Sequence, residues 1–133
     1  MSLPFIANTA ALRELVQGAL AKPPQTCSTA CTSLGACVGW ESITEDRWPA
    51  AHMQQLATLR DPEVVEPTFE EFHQSTRYDS PDAPIALKHF PYNRCDVWQC
   101  QCGRLFLRYT EFGGYYVDHR VRALNPALIV DVA

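Results

Sequence analysis

The sequence predicts an α+β protein in which two N-terminal helices pack on an antiparallel sheet of four to five strands. Helical periodicity is confined to roughly the first 60 residues, and runs rich in β-branched and aromatic residues follow later in the chain. Gly113 and Gly114 divide one such run, which is typical of a β-hairpin, predicted here over residues 104–123. Helices followed by consecutive strands are the pattern of the α+β class. A chain of 133 residues is long enough for one core, so residues 1–133 are predicted to form a single domain.

The two predicted helices differ in how they begin. The first is expected over residues 9–22, where Asn8 or Thr9 caps the start and Pro23 stops the helix. Its apolar residues recur at the spacing of a core-facing stripe, at Leu12, Leu15, Val16, Ala19 and Leu20. The second is expected to begin near Pro49, with a stripe formed by Ala50, Met53, Leu56, Ala57 and Leu59. A last strand is predicted over residues 128–132.

The register of the hairpin decides which of its side chains face outward. A three-residue loop at 112–114 would pair Tyr109 with Val117, and we prefer it to a two-residue Gly-Gly turn because it offers a glycine for the left-handed position. His119 would then lie on the apolar face. The outward face would carry arginine and aromatic side chains, which are enriched at binding hot spots. The binding residues predicted on this basis are Arg108, Tyr116, Asp118, Arg120 and Arg122. The alternative is an ordinary solvated sheet face.

Charge is distributed unevenly along the chain, whose net charge is −4. Residues 41–82 carry ten acidic side chains against three arginines, and the segments on either side are slightly basic. This acidic middle argues against nucleic-acid binding, which depends on the neutralisation of phosphates. It would suit a basic protein partner, although a solvated acidic surface is the alternative interpretation.

The sequence contains no stretch typical of a membrane span or a secretory leader. Crossing a membrane takes roughly 18 or more consecutive apolar residues, and the N-terminus has no basic residue before Arg13. We therefore predict a cytoplasmic protein with no membrane partner. Its six cysteines would then be thiols or metal ligands and not a disulfide framework. The sequence leaves the oligomeric state open.

A pair of cysteines, Cys100-Gln-Cys102-Gly, is similar to half of a zinc knuckle, in which one turn presents two thiolates. Structural zinc usually takes four such ligands in a tetrahedron. The favoured ligand set is Cys27, Cys31, Cys100 and Cys102, with Cys95 or His89 as alternatives. Simple burial of small thiols is the competing explanation.

Enzyme motifs are absent from the sequence. It has no phosphate loop, nucleophile elbow, H-E-x-x-H pair or dinucleotide fingerprint. A small enzyme could use the Cys100 and Cys102 thiols, but a strand pattern follows them where a redox motif would be followed by a helix. Acid–base chemistry could be built from Tyr109, Glu111 and Tyr116.

Several short motifs occur close together near the C-terminus, at residues 90–95, 102–104, 107–111, 113–116 and 120–122. They include Cys102-Gly-Arg, Leu107-Arg-Tyr-Thr-Glu, Gly113-Gly-Tyr-Tyr and Arg120-Val-Arg. Together they resemble the C-terminal signature of a group of small uncharacterised bacterial proteins, and the resemblance implies no activity. That group often has C-x-x-C-G-R, so the shorter C-x-C-G-R spacing here weakens the zinc hypothesis.

The function favoured by these observations is a non-catalytic protein-interaction module with a protein partner, of the acidic inhibitor or immunity type, with or without a structural zinc. It depends on the acidic middle region and on the lack of a catalytic motif. The alternative is the small cytosolic enzyme described above.

Overall fold

An antiparallel sheet of five strands dominates the computed structural model, which describes residues 3–21, 39–72, 83–113 and 116–130, and all of their side chains except those of residues 113 and 116. The strands are β1 (Glu41–Ile43), β2 (Met53–Thr58), β3 (Asp96–Cys100), β4 (Leu105–Gly113) and β5 (Tyr116–Ala123). Their order across the sheet is β1-β5-β4-β3-β2, and every neighbouring pair is antiparallel. The predicted α+β class is confirmed at this level.

The helix predicted first is present as α1 (Thr9–Leu20), which packs on one face of the sheet. Asn8 caps it, because its side-chain oxygen accepts a hydrogen bond of 2.8 Å from the backbone N–H of Ala11. Leu12 and Val16 are buried against the strands. Full burial of such a side chain stabilises the fold by about 1.5–3 kcal/mol, so α1 is held mainly by its apolar face.

The prediction of a second helix is wrong, because residues 53–58 form strand β2. Short 3₁₀ turns at Glu45–Arg47 and Ala50–His52 precede it. The pairing of β2 with β3 shifts between Gln55 and Ala57, which is the mark of a β-bulge. Leu56 and Ala57 consequently pack on the same core although they are adjacent. The bulge thus produces apolar spacing that imitates a helical stripe. The structure therefore differs from the prediction of two N-terminal helices, because only the first of them is present.

The 104–123 hairpin is confirmed, but its predicted register is wrong. Gly113 pairs with Tyr116, Phe112 with Val117 and Tyr109 with Arg120, so two residues separate the strands. The face of the sheet that packs on α1, here called the helix face, carries Leu105, Leu107, Tyr109 and Glu111 of β4 with Asp118, Arg120 and Arg122 of β5. The opposite face carries Phe106, Arg108, Thr110 and Phe112 with Val117, His119 and Val121.

Each face of the sheet has its own apolar cluster. The helix face holds the larger one, in which Trp40 packs edge-on against Tyr109 with ring centroids 4.9 Å apart. The opposite face holds a smaller one, built on Phe106 and Val121 and covered by Trp48.

The predicted last strand is replaced by a 3₁₀ turn at Pro126–Leu128 and a single bridge from Ile129 to Ile85; residues 131–133 lie outside the described residues.

No helix in the described ranges has both the length and the apolar character required to cross a membrane.

Candidate functional site

The register divides the predicted binding residues between the two faces of the sheet. Asp118, Arg120 and Arg122 occupy the helix face, whereas Arg108 occupies the opposite face. Tyr116 is the first residue of β5, and its side chain lies outside the description. These residues therefore do not share the single outward face predicted for them.

Arg122 is fully buried, with 0% of its surface exposed. Its guanidinium donates a hydrogen bond of 2.7 Å to the carbonyl of Ala83 and another to the hydroxyl of Tyr92. Burial raises the pKa of Tyr92 to about 12, and the nearby Arg122 charge opposes part of that rise. Arg122 thus joins β5 to the 83–92 segment inside the protein. A binding role at the surface would require an exposed side chain, and Arg122 is buried.

The exposed end of the helix face carries a small network of charges. Arg120 Nε donates to Asp118 at 2.8 Å, and its guanidinium lies 3.3 Å from Glu111 and 3.4 Å from the Tyr109 hydroxyl. Burial opposes ionisation of Asp118, but hydrogen bonds from Arg120 and Ser42 outweigh it and lower the pKa of this carboxyl. The structure therefore brings Tyr109 and Glu111, two members of the predicted acid–base group, around one arginine.

A second polar network occupies the opposite face, where His119 was not expected. Glu45 Oε2 lies 2.9 Å from both Arg108 and His119 Nε2, and His119 Nδ1 lies 3.1 Å from the Thr110 hydroxyl. The Arg108 guanidinium also stacks on the Trp48 ring, 4.5 Å from its centroid. These contacts tie the turn at Glu45–Arg47 to the sheet, so Arg108 and His119 both have a packing role.

The cysteines that the structure describes lie in the two apolar clusters. Cys100 is buried and Cys102 half-buried beside the cluster on the opposite face. Cys95 is buried on the helix face, where its thiol donates to the Pro91 carbonyl at 3.3 Å. Cys27 and Cys31, the other half of the predicted zinc set, lie outside the described residues. Across the described ranges, no three His, Cys, Asp or Glu side chains are grouped so that they could hold a metal.

Two of the three most exposed large apolar side chains of the described residues lie in residues 61–71, called here the acidic segment; the third, Phe112, lies in β4 near the hairpin turn. Val65 is 94% exposed and Phe69 is 72% exposed. Its carboxylates are contributed by Asp61, Glu63, Glu66, Glu70 and Glu71. Exposed apolar surface rimmed by polar groups is typical of interaction sites.

The acidic segment has no regular secondary structure, yet side chains from outside it hold it in place. Arg94 donates hydrogen bonds of 2.9 Å to the carbonyls of Thr68 and Pro67, and Asn93 donates a third, of 2.8 Å, to Thr68. The Arg94 guanidinium also lies over the Phe69 ring, 4.1 Å from its centroid. The carbonyl of Glu70 accepts a bond of 2.8 Å from the Phe90 N–H. Fixed in this way, the segment presents its side chains without losing much conformational entropy on binding.

A cavity of about 780 Å³ opens between the acidic segment, the N-terminal stretch Phe5–Ala7 and the turn at Leu87–Lys88. The N-terminal wall is held by the Ile6 N–H, which donates to the Thr58 carbonyl at 2.9 Å. Most of the lining is apolar, and its charged members are Arg60, Asp61, Lys88 and Arg94. Ligand pockets typically have about 300–1,000 Å³ and such a composition.

Lys88 has an unusual backbone at the edge of this cavity. Its φ is 72°, in the turn closed by the His89 N–H donating to the Ala86 carbonyl. That position in a turn normally takes glycine, which has no Cβ, or asparagine, whose short polar side chain tolerates it; other residues are strained there by roughly 1–2 kcal/mol. Strained residues concentrate at functional sites.

The sequence signalled this region only in part. The acidic composition of residues 41–82 pointed to it, but the exposed Phe69 and the role of Arg94 in fixing it depend on contacts between distant residues. The lysine in a glycine-like turn position had no sequence signal.

Comparison of the chain with protein-family models, with curated proteins and with solved structures finds no match.

Proposed function

We propose that the chain is a non-catalytic protein-interaction module of the inhibitor or immunity type, whose acidic segment docks on a basic protein partner. The observation that carries the proposal is the combination of exposed Val65 and Phe69 with exposed carboxylates on a segment fixed by Arg94. Apolar anchors within charged surroundings are the composition of binding hot spots.

Charge favours a basic partner over a neutral one. Glu63, Glu66 and Glu70 are exposed, and within the described chain none of them forms an ion pair with another residue. Negative charge of this kind would accelerate encounter with a positively charged surface at low salt.

The test is capture of a stoichiometric protein partner from native lysate by the immobilised chain, followed by measurement of its affinity. Phe69→Ala should weaken binding by about 30-fold or more, because truncation of a hot-spot aromatic removes at least about 2 kcal/mol. Phe112→Ala is the matched control, since Phe112 is 79% exposed but lies in β4 near the hairpin turn. Equal loss with both variants, or no loss with Phe69→Ala, would contradict the proposal.

A charge test uses two triple variants that remove the same three negative charges. The first replaces carboxylates of the acidic segment, in Glu63→Gln, Glu66→Gln and Glu70→Gln. The second replaces exposed carboxylates elsewhere, in Glu14→Gln, Glu41→Gln and Asp46→Asn. Only the first should slow association and flatten its dependence on salt, because screening acts on the interacting charges.

The other functions suggested by the sequence stay predictions. A structural zinc on Cys27, Cys31, Cys100 and Cys102 is compatible with an interaction module and is testable by metal analysis. The alternative of a small enzyme with Tyr109, Glu111 and Tyr116 or with the Cys100 and Cys102 thiols gains its best support from the contacts of Arg120 with Tyr109 and Glu111.

A further inference from the structure

We infer that the cavity behind the acidic segment binds a small organic anion, with its apolar body inside the cavity and its charged head at Lys88. The inference does not rest on the protein partner proposed above. Of the residues that carry that proposal, Val65 and Arg94 also line the cavity, whereas Phe69 and the exposed Glu63, Glu66 and Glu70 do not.

The body of the ligand is indicated by the walls. Phe5, Ile6, Leu59 and Leu87 line the cavity together with valines and prolines of residues 62–67. Burial of apolar area is the main source of affinity in pockets of this kind, and a few polar groups determine orientation.

The charged side chains that line the cavity indicate the sign of the ligand's head group. Three cationic side chains line the cavity against the single carboxylate of Asp61. Arg60 is compensated by an ion pair of 3.1 Å with Asp96. Arg94 donates to carbonyl and amide oxygens, and within the described residues it forms no ion pair with a carboxylate at contact distance. Lys88 makes no ion pair or side-chain hydrogen bond in that part of the chain.

Lys88 is the group that reaches a ligand most readily. It is exposed, and none of its three ammonium donors is engaged within the described residues. Its left-handed backbone is strained for a lysine, and asparagine would fit the same turn with less strain. A binding role accounts for a lysine at a position where the fold alone favours glycine or asparagine.

The test compares two fluorescent probes with the same aromatic body. One is 8-anilino-1-naphthalenesulfonate, which is an anion, and the other is uncharged N-phenyl-1-naphthylamine. We expect the intact chain to bind the anion at one saturable site and more tightly than the uncharged probe. Lys88→Asn should weaken binding of the anion about 10-fold and leave the uncharged probe unchanged, because only the charged hydrogen bond is lost.

Control variants make the outcome decisive. Lys88→Arg keeps the charge and should keep the affinity for the anion, whereas Arg47→Gln removes a charge that is not in the cavity and should have no effect. Ala7→Trp places bulk in the lining at an exposed position and should abolish binding of both probes. Thermal unfolding of Lys88→Asn should show no loss of stability. Absence of saturable binding, or binding of the anion that resists Lys88→Asn or Ala7→Trp, would overturn the inference.

Discussion

Removal of the Tyr92 hydroxyl tests whether the buried guanidinium of Arg122 is stabilised by its hydrogen-bond partners. Arg122 is fully buried and donates to the Tyr92 hydroxyl and to the Ala83 carbonyl. Tyr92→Phe takes away one of these acceptors, and a hydrogen bond to a charged group contributes about 1.5–3 kcal/mol. We expect the free energy of unfolding, measured by urea denaturation, to fall by about 2 kcal/mol with an unchanged m-value.

A double-mutant cycle separates this interaction from general packing. Arg122→Met should cost about 3 kcal/mol, because the Tyr92 hydroxyl and the Ala83 carbonyl then stay buried with one partner fewer. The double variant should lose about 1–2 kcal/mol less than the sum of the single losses. Arg60→Met removes an exposed arginine whose ion pair with Asp96 is at the surface, and it should cost less than about 1 kcal/mol. Strict additivity, or a Tyr92→Phe loss below about 0.5 kcal/mol, would refute the reasoning.

The same tyrosine gives a pH signature. Burial raises the pKa of Tyr92 from 10.0 to about 12, so the folded protein keeps this proton where the unfolded chain releases it. The resulting stability is complete below pH 10 and is lost as the pH rises toward 12, by about 3 kcal/mol in total. Urea midpoints across this range should therefore fall less steeply for Tyr92→Phe than for the parent chain.

Three further predictions concern the cysteines and Asp118. Cys95 should resist alkylation in the folded protein, because burial raises the pKa of its thiol well above the usual range; fast labelling would contradict this. Burial of Asp118 is outweighed by hydrogen bonds from Arg120 and Ser42, so its pKa is lowered, and the stability it adds is lost as the pH falls below the ordinary value of 3.8. Asp118→Asn should therefore reduce the loss of urea stability on acidification, and an unchanged profile would count against it. The zinc hypothesis requires metal analysis to find about one zinc per chain, which Cys100→Ser removes; a metal-free protein with six titratable thiols would end it.

The hairpin was predictable because its signals are local, but its register was not. The prediction chose a three-residue loop because it offers a glycine for the left-handed position. As a general rule, charged residues are also seldom fully buried. Arg122 breaks that rule because Tyr92 and Ala83, more than 25 residues earlier in the chain, supply its acceptors. Tyr109 pairs with Arg120 and not with Val117, which is a shift of three residues. An odd shift turns the side chains of β5 to the other face, so Asp118, Arg120 and Arg122 lie on the helix face and not on the predicted outward face.

The false helix at residues 50–59 has a comparable cause. Periodicity assigns a helix when apolar residues recur at three and four positions, and the bulge in β2 produces that spacing in a strand. Only pairing with β3 reveals the bulge, because it is a property of two strands together.

The exposed glutamates of the acidic segment and the cations of the neighbouring cavity belong to different residues. The five carboxylates of the acidic segment repel one another. Its backbone is nevertheless fixed, because Arg94 binds backbone carbonyls of the segment and not its carboxylates. The side chains of Glu63, Glu66 and Glu70 are thereby left exposed, while the Arg94 side chain lines the cavity. Arg94 is thus shared by the two proposed sites, whereas Phe69 and Lys88 each belong to one. Binding of the protein partner and of the small anion should accordingly be separable by changes at Phe69 and Lys88, but both should be weakened by Arg94→Ala.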